Sequence, residues 1–395
     1  MRLQLMKHLV RQRSCFRGFV LLIAVVSLAI TPAPSTADEV SGDWSGSVEL
    51  RGGYYWETST RVVAPSVHVA LESPSGVRID ADYLVDSITS ASQAAGTLVD
   101  VGFTEIRHDA GAGLGYEFDL GDAQLDVNAH IRFSYEPDYF SQGLFTGAAL
   151  SLNQRNTILR FGMAFVQDDI RQVLRGDMRT DPTGRNLSDR GEVGELLALV
   201  GNVGFEQLLS PQISLQLGYD LGRLSGYLSN AYRMVSVQGV LTSEAHPELR
   251  LRHTLHGRLA MYARSLRSAF HFMVRGYVDS WDIMAVSPEI RWYQELGSFV
   301  NLRTRYRYYE QSASFFGESL SSYTDRDTYV TADPKMTAFH SHLLGFQLRL
   351  QASFLRGTSL DWFRDASLNF GFEYIWNTNR YGNGVISQAS LRLPF

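Results

Sequence analysis

Three arginines stand at alternate positions of one short segment, residues 301–309, which reads NLRTRYRYY. Alternate side chains of a β-strand point to the same face, so we expect these three guanidinium groups on one face. Guanidinium keeps its positive charge and pairs with anions in planar geometry. Fixed charges on the wall of a water-filled passage discriminate solutes by charge. Arg303, Arg305 and Arg307 are therefore candidates for a selectivity element.

Further charged residues occupy the polar positions of other segments and separate by sign along the chain. The candidate acidic wall consists of Asp80, Asp82, Glu117 and Asp126. The candidate basic wall adds Arg258, Arg275 and Arg291 to the three arginines above. Two such walls facing each other across water would create a transverse field. The alternative is that the charges neutralise one another inside a plugged lumen.

Residues that could catalyse a reaction or hold a metal are few. His340 and His342, in the segment FHSHLL, lie on one face at a spacing that can bind a metal, but a site needs further ligands. Asp168 and Asp169 precede a long connection, and we interpret them as solvated loop residues. The sequence contains no H-E-x-x-H and no G-x-S-x-G motif. We therefore expect no enzymatic activity and no cofactor.

The first 37 residues have the pattern of a secretory signal peptide. A basic start is followed by an apolar run from Phe19 to Ile30 and by small residues ending at Ala37, where we expect cleavage; Ala33 is the alternative. Removing the five basic residues of the leader leaves 31 basic against 41 acidic side chains, which disfavours nucleic acid as a partner. The only cysteine, Cys15, also lies in the leader. We expect an exported chain without disulfides.

The elements that would position these residues are β-strands throughout. The segment AQLDVNAHIRFSYE (123–136) alternates apolar and polar residues without interruption. Sixteen such strands are predicted, with fourteen to eighteen allowed. They start near positions 44, 61, 76, 104, 123, 143, 157, 195, 212, 249, 269, 283, 299, 339, 366 and 385. The expected fold is an all-β, transmembrane, antiparallel up-and-down barrel over residues 38–395; a soluble β-sandwich is the alternative.

The connections support a barrel because short and long links alternate. Long links are expected at 86–103, 168–194, 224–248 and 312–338, while most links after even-numbered strands are tight. Outer-membrane barrels have short periplasmic turns, long outer loops and an even strand number. The terminal Phe395 ends an alternating strand, which resembles the signal by which the barrel-assembly machinery recognises its substrates. The expected location is the outer membrane of a Gram-negative bacterium, with its lipid as a partner.

Several stretches resemble a family of Gram-negative outer-membrane proteins known as a domain of unknown function. They are YLVDSITSAS (83–92), GYLSNAYR (226–233), HPELRLRHTL (246–255), VRGYVDSWDI (274–283) and RYRYYEQSASFF (305–316). Relatives carry Pro where this chain has Gln93 and Ala231, which affects loop conformation. The resemblance implies an outer-membrane β-barrel and no assigned activity.

The motif residues cluster in the expected outer loops and strand ends: Asp86, Thr89, Tyr227, Asn230, Tyr232, Arg233, Asp279 and Trp281. We expect these loops to fold inward as a packed cap, with Asp86 or Asp279 paired to Arg233. Two functions fit this arrangement. The first is a pore or transporter for small solutes with an arginine-rich wall. The second is a capped, non-conducting partner of a surface, redox or metal-handling assembly; an enzyme is the least supported.

Overall fold

The computed structural model describes residues 43–58, 60–90, 103–173, 191–317, 323–380 and 382–395. The predicted signal peptide and its cleavage site lie outside these residues. Within the described part the chain forms eighteen strands. Their bounds are Ser45–Glu57 (β1), Thr60–Glu72 (β2), Val77–Ser90 (β3), Phe103–Asp119 (β4), Gln124–Tyr135 (β5), Tyr139–Leu152 (β6), Thr157–Gln172 (β7), Gly191–Ser210 (β8), Ile213–Gly226 (β9), Met234–Val237 (β10), Val240–Ser243 (β11), Leu249–Ala263 (β12), Ser268–Asp279 (β13), Met284–Leu296 (β14), Val300–Gln311 (β15), Phe339–Gln351 (β16), Ser367–Asn377 (β17) and Gly384–Pro394 (β18).

Sixteen of these strands form one closed antiparallel barrel, in the order β1 to β9 followed by β12 to β18. The barrel closes between β1 and β18, which pair from Ser47 with Pro394 to Glu57 with Gly384. Phe395 extends the closing pair, because its backbone N–H and C=O each bond to Gly46 at 2.9 Å. The predicted fold and strand number are confirmed, and the β-sandwich alternative is wrong. Closure leaves the barrel no open sheet edge.

The exterior of the barrel is apolar because the alternating pattern turns one face of every strand outward. In β5, Ile131 and Phe133 are 46% and 48% exposed, while the polar set of the same strand, including His130 and Arg132, points inward. Leu114 on β4, which pairs with Ala129, is 58% exposed. Apolar exposure on this scale marks a surface that contacts lipid or protein rather than water. Among the described residues, no helix has the length and apolarity to cross a membrane.

The connections at the two ends of the barrel differ in length as predicted. One end, which we call the short-turn end, carries tight links such as 73–76, 120–123, 153–156 and 211–212. The other, the long-loop end, carries links 227–248 and 312–338. The first of these contains the hairpin β10–β11. The second contains a 3₁₀ turn, Pro334–Met336, which Asp333 caps by accepting from the Lys335 N–H. We call the described residues of links 227–248 and 312–338 the cap.

Strand starts were predicted to within four residues. The sixth and eighth strands show the largest differences, since β6 begins at Tyr139 rather than near 143 and β8 begins at Gly191 rather than near 195. Glu136 and Tyr139 form a tight turn whose backbone N–H and C=O groups bond in both directions. Pro137 sets that turn, so the strand can resume four residues earlier than the apolar pattern indicates.

Candidate functional site

The arginines of the predicted basic wall lie on the inward face of the barrel. On β14 and β15, Glu289 stands opposite Arg307, Arg291 opposite Arg305, and Tyr293 opposite Arg303. Opposite residues of an antiparallel pair share a face, and the exposed Ile290, Trp292 and Tyr306 mark the other face as the exterior. Arg258 on β12 and Arg275 on β13 are inward by the same register. Sequence alternation therefore placed these side chains on the correct face.

Two glutamates neutralise the middle of the basic wall. Glu289 binds both Arg291 and Arg305, the latter at 3.0 Å between Oε2 and Nη2. Glu373 on β17 accepts from Arg305 at 2.9 Å and lies 3.7 Å from Arg303. These four residues and Glu373 thus form one charged network across β14, β15 and β17. Arg303, Arg305 and Arg291 are held in place by this network, which limits their availability to a passing anion.

Other inward arginines lie outside that network, and three of them stand near the middle or the mouth of the basic wall. Arg252, Arg258 and Arg307 form no salt bridge with any residue that the structure describes. Arg275 is only loosely paired, because its closest carboxylate oxygen, on Asp220, is 4.0 Å away. Unpaired guanidinium groups in a confined space attract anions strongly, since they have no protein charge to satisfy first.

The acidic wall lies about half a turn away, on β3 to β5, and most of its charge is also paired. Asp126 binds Arg78, and Glu117 binds Arg155 at 2.7 Å. Asp80 and Asp82 have an imidazole instead, since His130 Nδ1 is 3.2 Å from Asp80 and Nε2 is 3.4 Å from Asp82. The expected transverse field is therefore weaker than two bare walls would give.

The cap has a hydrophobic interior of its own. Val235, Tyr323, Val330 and Ala332 form one buried cluster, against which Val237 and Ala245 pack. A second cluster joins the cap to the barrel rim, with Phe316 and Met336 from the cap and Trp281 and Ile283 from the β13–β14 link. These are the two buried apolar clusters of the described residues, as expected for a barrel whose lumen is polar.

Arg233 is the charged centre of the cap. Its Nη1 lies 3.2 Å from both carboxylate oxygens of Glu244 and 3.0 Å from Asp333. Glu244 also accepts from the hydroxyl of Thr331 at 2.6 Å, and His246 lies 3.2 Å away. Burial acts to raise the pKa of Glu244, but His246 and the Arg233 charge outweigh it and lower the pKa to about 2. Glu244 is therefore ionised at neutral pH.

The predicted partners of Arg233 are wrong. Asp86 pairs with Arg107, its direct neighbour on β4. Asp279 pairs with Arg250, directly below the cap, and also accepts from the Tyr277 hydroxyl at 2.6 Å. Both aspartates are saturated by residues of their own strands or of the adjacent one, so Arg233 pairs within the cap.

The remaining motif residues hold the loops at the rim. Trp281 donates from Nε1 to the Leu249 carbonyl at 3.0 Å, and the Arg250 guanidinium lies 4.2 Å from its ring centre. This cation–π pair holds Arg250 against the rim beside its salt bridge with Asp279. The Asn230 side-chain oxygen accepts from the Tyr232 N–H, and the Tyr227 N–H donates to the backbone carbonyl of Glu195 at 2.7 Å. The side chain of Thr89 lies outside the described residues.

The cap is tied to opposite sides of the barrel mouth. On one side the Tyr232 hydroxyl donates to Asp138 in the β5–β6 link, and Gln172 at the end of β7 donates to the Ala231 carbonyl. On the other side Arg380, in the β17–β18 link, donates to the Ala332 carbonyl. These attachment points are roughly half of the sixteen-strand ring apart. The cap therefore spans the mouth and contacts both sides of it.

Beneath the cap lies a chamber of about 1190 Å³. Its lining includes residues of the cap and of opposite barrel walls, from Glu57 on β1 to Arg252 on β12. Six cationic and two acidic side chains contribute to the lining. Two of the arginines without a salt bridge, Arg252 and Arg307, face it, together with the phenol groups of Tyr277 and Tyr309. The chamber can therefore accept an anion with a small apolar or aromatic part.

His340 and His342 do not lie near this chamber. Both point to the exterior of β16, where the Nδ1 of His342 is 2.8 Å from the Tyr306 hydroxyl and both rings contact Tyr308. Two groups of three carboxylate or imidazole side chains in the described chain bring their ligand atoms within 4.8 Å of one another. They are His68, Asp80 and Asp82, and Glu105, Glu136 and Asp138. Neither group includes His340 or His342, so the described residues give this pair no third ligand and a metal at the pair stays a prediction.

The family follows from a profile comparison. The profile described as Protein of unknown function (DUF3570) matches residues 93–391, more than half of the chain. The chain belongs to this family. Two of the motifs that carried the resemblance, GYLSNAYR and VRGYVDSWDI, lie inside the matched range, while YLVDSITSAS ends just before it. The family resemblance read from the sequence is confirmed.

Solved structures similar to this DUF3570 member are distant in sequence. One is described as a bacterial polysaccharide outer membrane secretin; it is 10% identical, the match covers 89% of this chain and 98% of that one, and the TM-score is 0.47. OccK8 (OprE) of Pseudomonas aeruginosa is 8% identical over 89% and 98% of the two chains, with a TM-score of 0.46. OprD of Pseudomonas aeruginosa is 9% identical over 92% and 99%, with a TM-score of 0.42. No curated protein matches the chain.

Sequence reasoning missed four residues of this DUF3570 chain. Glu244 and His246 centre the cap network, and His68 and His130 meet the acids of β3. Only His130 carried a usable signal, because it occupies a polar position of the alternating β5 segment. The contacts of His68, Glu244 and His246 depend on which loop or strand lies next to them. A single sequence does not specify that neighbour.

Proposed function

We propose that the protein is an outer-membrane barrel that passes small anionic solutes through the arginine-lined chamber. The single observation that carries this proposal is the excess of cationic lining, with Arg252 and Arg307 free of salt bridges to described residues. An anion entering the chamber meets positive charge that the protein itself does not neutralise. No step of this proposal requires catalysis.

An outer-membrane location is supported by the surface of the barrel. The exterior is apolar along the strands, and aromatic residues such as Trp56, Trp292 and Trp376 are exposed on it near strand ends. A membrane barrel shows this apolar band with aromatic girdles, and full strand closure satisfies every backbone group without water. In this orientation the long-loop end with the cap faces the cell exterior, and the short turns face the periplasm.

A second role is favoured by the cap itself. Because it is bonded to opposite sides of the mouth, the cap could keep the barrel closed and present Arg233, Tyr232 and their neighbours as a rigid platform for a partner. In that role the barrel would anchor a surface assembly and conduct no solute.

Single-channel recording in planar bilayers separates the two roles. We expect stepwise current from the wild-type protein, or, if the cap closes the mouth, from Glu244→Ala, which removes the carboxylate that holds Arg233. The matched control is Asp325→Asn, an exposed acid of the cap whose side chain accepts a single hydrogen bond from a described residue, Gln238 at 3.4 Å. Silence of both wild-type and Glu244→Ala protein, with the barrel folded, would overturn the solute pathway and leave the platform role.

A further inference from the structure

We propose that His68, Asp80, Asp82 and His130 form a binding site for one first-row divalent cation, with Zn²⁺ as the ion that fits best. Ligand atoms of His68, Asp80 and Asp82 lie within 4.8 Å of one another on the inward face of β2 and β3. His130 reaches the same two carboxylates from β5, at 3.2 and 3.4 Å. Two imidazoles and two carboxylates therefore converge from three strands.

Two glycines make this convergence possible. Strand β4 runs between β3 and β5, and at the height of the cluster its inward positions are Gly111 and Gly113. A Cβ at Gly111 would lie 2.7 Å from the Asp82 carboxylate, and a Cβ at Gly113 would lie 2.8 Å from the Asp80 carboxyl carbon. Any side chain at either position would collide with the cluster. The space above β4 is thus occupied by side chains of its two neighbours, which meet across it.

The arginines near this cluster pair with other aspartates, so no arginine that the structure describes neutralises Asp80 or Asp82. Arg78 is taken by Asp126, Arg132 by Asp109 and Arg107 by Asp86. Asp80 and Asp82 are thus the carboxylates of β3 to β5 whose salt-bridge partner in the described structure is an imidazole alone. His68 makes no hydrogen bond or salt bridge with a described residue, although it stands directly opposite Asp82 on β3 and Glu49 on β1 in the register. A cation would compensate both carboxylates and give His68 a partner.

The chemistry of the donor set selects the class of ion. Imidazole nitrogen combined with carboxylate oxygen suits Zn²⁺ and its neighbours in the first row, whereas Ca²⁺ and Mg²⁺ prefer oxygen ligands alone. In the metal-free arrangement His130 bridges Asp80 and Asp82 through both ring nitrogens. A metal replaces the proton on a ligating nitrogen, so binding weakens as pH falls.

The test uses the full mature chain, purified in detergent and stripped with a chelator. Co²⁺ is titrated while its visible d–d absorption is recorded, and Zn²⁺ is titrated calorimetrically. We expect one equivalent of either ion to bind. Asp82→Asn, His130→Gln and Gly113→Ala should each weaken binding more than about ten-fold. Folding of each variant is checked by its heat-modifiable mobility in gel electrophoresis, and binding is read only from folded protein.

The matched control is the double variant His340→Gln, His342→Gln, which removes two imidazoles from the exterior and none from the cluster. It should bind one equivalent as tightly as the wild type. Three results would overturn the proposal: no stoichiometric binding by the wild type, unchanged binding in folded Asp82→Asn and His130→Gln, or equal loss in the exterior double variant. The readout is metal binding, so it is independent of whether the barrel conducts.

Discussion

Glu244 and Arg233 form an ion pair 3.2 Å long inside the cap, with 4% and 7% of their surfaces exposed. Each belongs to the link that carries the β10–β11 hairpin, and the pair clamps the two ends of that hairpin together. Asp333 and Thr331 extend the contact to the other link of the cap. Glu244 thus contacts both links of the cap and joins them, in addition to the two apolar clusters.

Removing the Glu244 charge should loosen the cap. Glu244→Ala leaves Arg233 with only Asp333 as a carboxylate partner in the described cap, and breaking a buried ion pair costs about 3–5 kcal/mol. We expect hydrogen exchange of the 227–248 backbone amides to accelerate at least about 100-fold, while amides of the barrel strands keep their rates. Unchanged protection of the cap in this variant would contradict the clamp. Asp325→Asn serves as the control with a normal cap.

Acidification should open the cap only at low pH. The pKa of Glu244 is lowered from 4.5 to about 2, so its ionised form stabilises the folded cap. That stabilisation is complete above the unfolded pKa and is lost as pH falls through about 2. Cap protection in hydrogen exchange should therefore hold at pH 5 and decline between about pH 4 and 2. Glu244→Gln should lack this decline, and a wild-type cap that opens near pH 6 would refute the assignment.

Arg305 and Arg307, two residues apart on β15, should respond differently to the same change. Arg305 bonds to Glu289 and Glu373, and loss of such charge-assisted bonds should lower the free energy of unfolding by about 2 kcal/mol in Arg305→Met. Arg307 has no salt bridge with a described residue, so Arg307→Met should cost less than about 1 kcal/mol. Urea unfolding of both variants measures the difference. Equal losses would mean that the Glu289 network does not stabilise the wall.

A bound cation on the acidic wall should alter ion selectivity. Zn²⁺ at Asp80 and Asp82 would neutralise the carboxylates that lack an arginine, leaving the lumen more strongly positive. We expect Zn²⁺ to shift the reversal potential of the wild-type barrel toward that of chloride, and to leave Asp82→Asn unaffected. A shift of equal size in both proteins would assign the effect to another site.

The barrel could be predicted almost completely because its physical cause is local. Strict alternation in segments such as 123–136 fixes which face of a strand is apolar, and tight turns fix where strands end. The inward position of Arg258, Arg303 and the acids followed directly. The salt-bridge partners of these residues could not be predicted, because they depend on which side chains of neighbouring strands come within contact distance. Gly111 and Gly113 carry no charge, yet they decide that His130 meets Asp80 and Asp82.

The cap marks the other limit of sequence reasoning. Arg233 was expected to pair with Asp86 or Asp279. That expectation rested only on the presence of all three residues in the family motifs. In the structure Asp86 pairs with Arg107, its neighbour in the barrel register. Asp279 pairs with Arg250 at the barrel rim. Glu244 pairs with Arg233 because the β10–β11 hairpin brings the two ends of one link together. No periodic pattern in the sequence predicts that hairpin.

The central claim is that the lumen is a water-filled pathway whose unpaired arginines attract anions. The most direct measurement is the reversal potential of single channels under a KCl gradient. It is made for the wild type and for one double variant that carries both Arg252→Gln and Arg307→Gln. The control is Arg364→Gln, which removes one positive charge at the short-turn end, outside the lumen. We predict anion preference in the wild type and the control and a clear loss of it in the double variant. Cation preference in the wild type, or identical reversal potentials in all three proteins, would contradict the account.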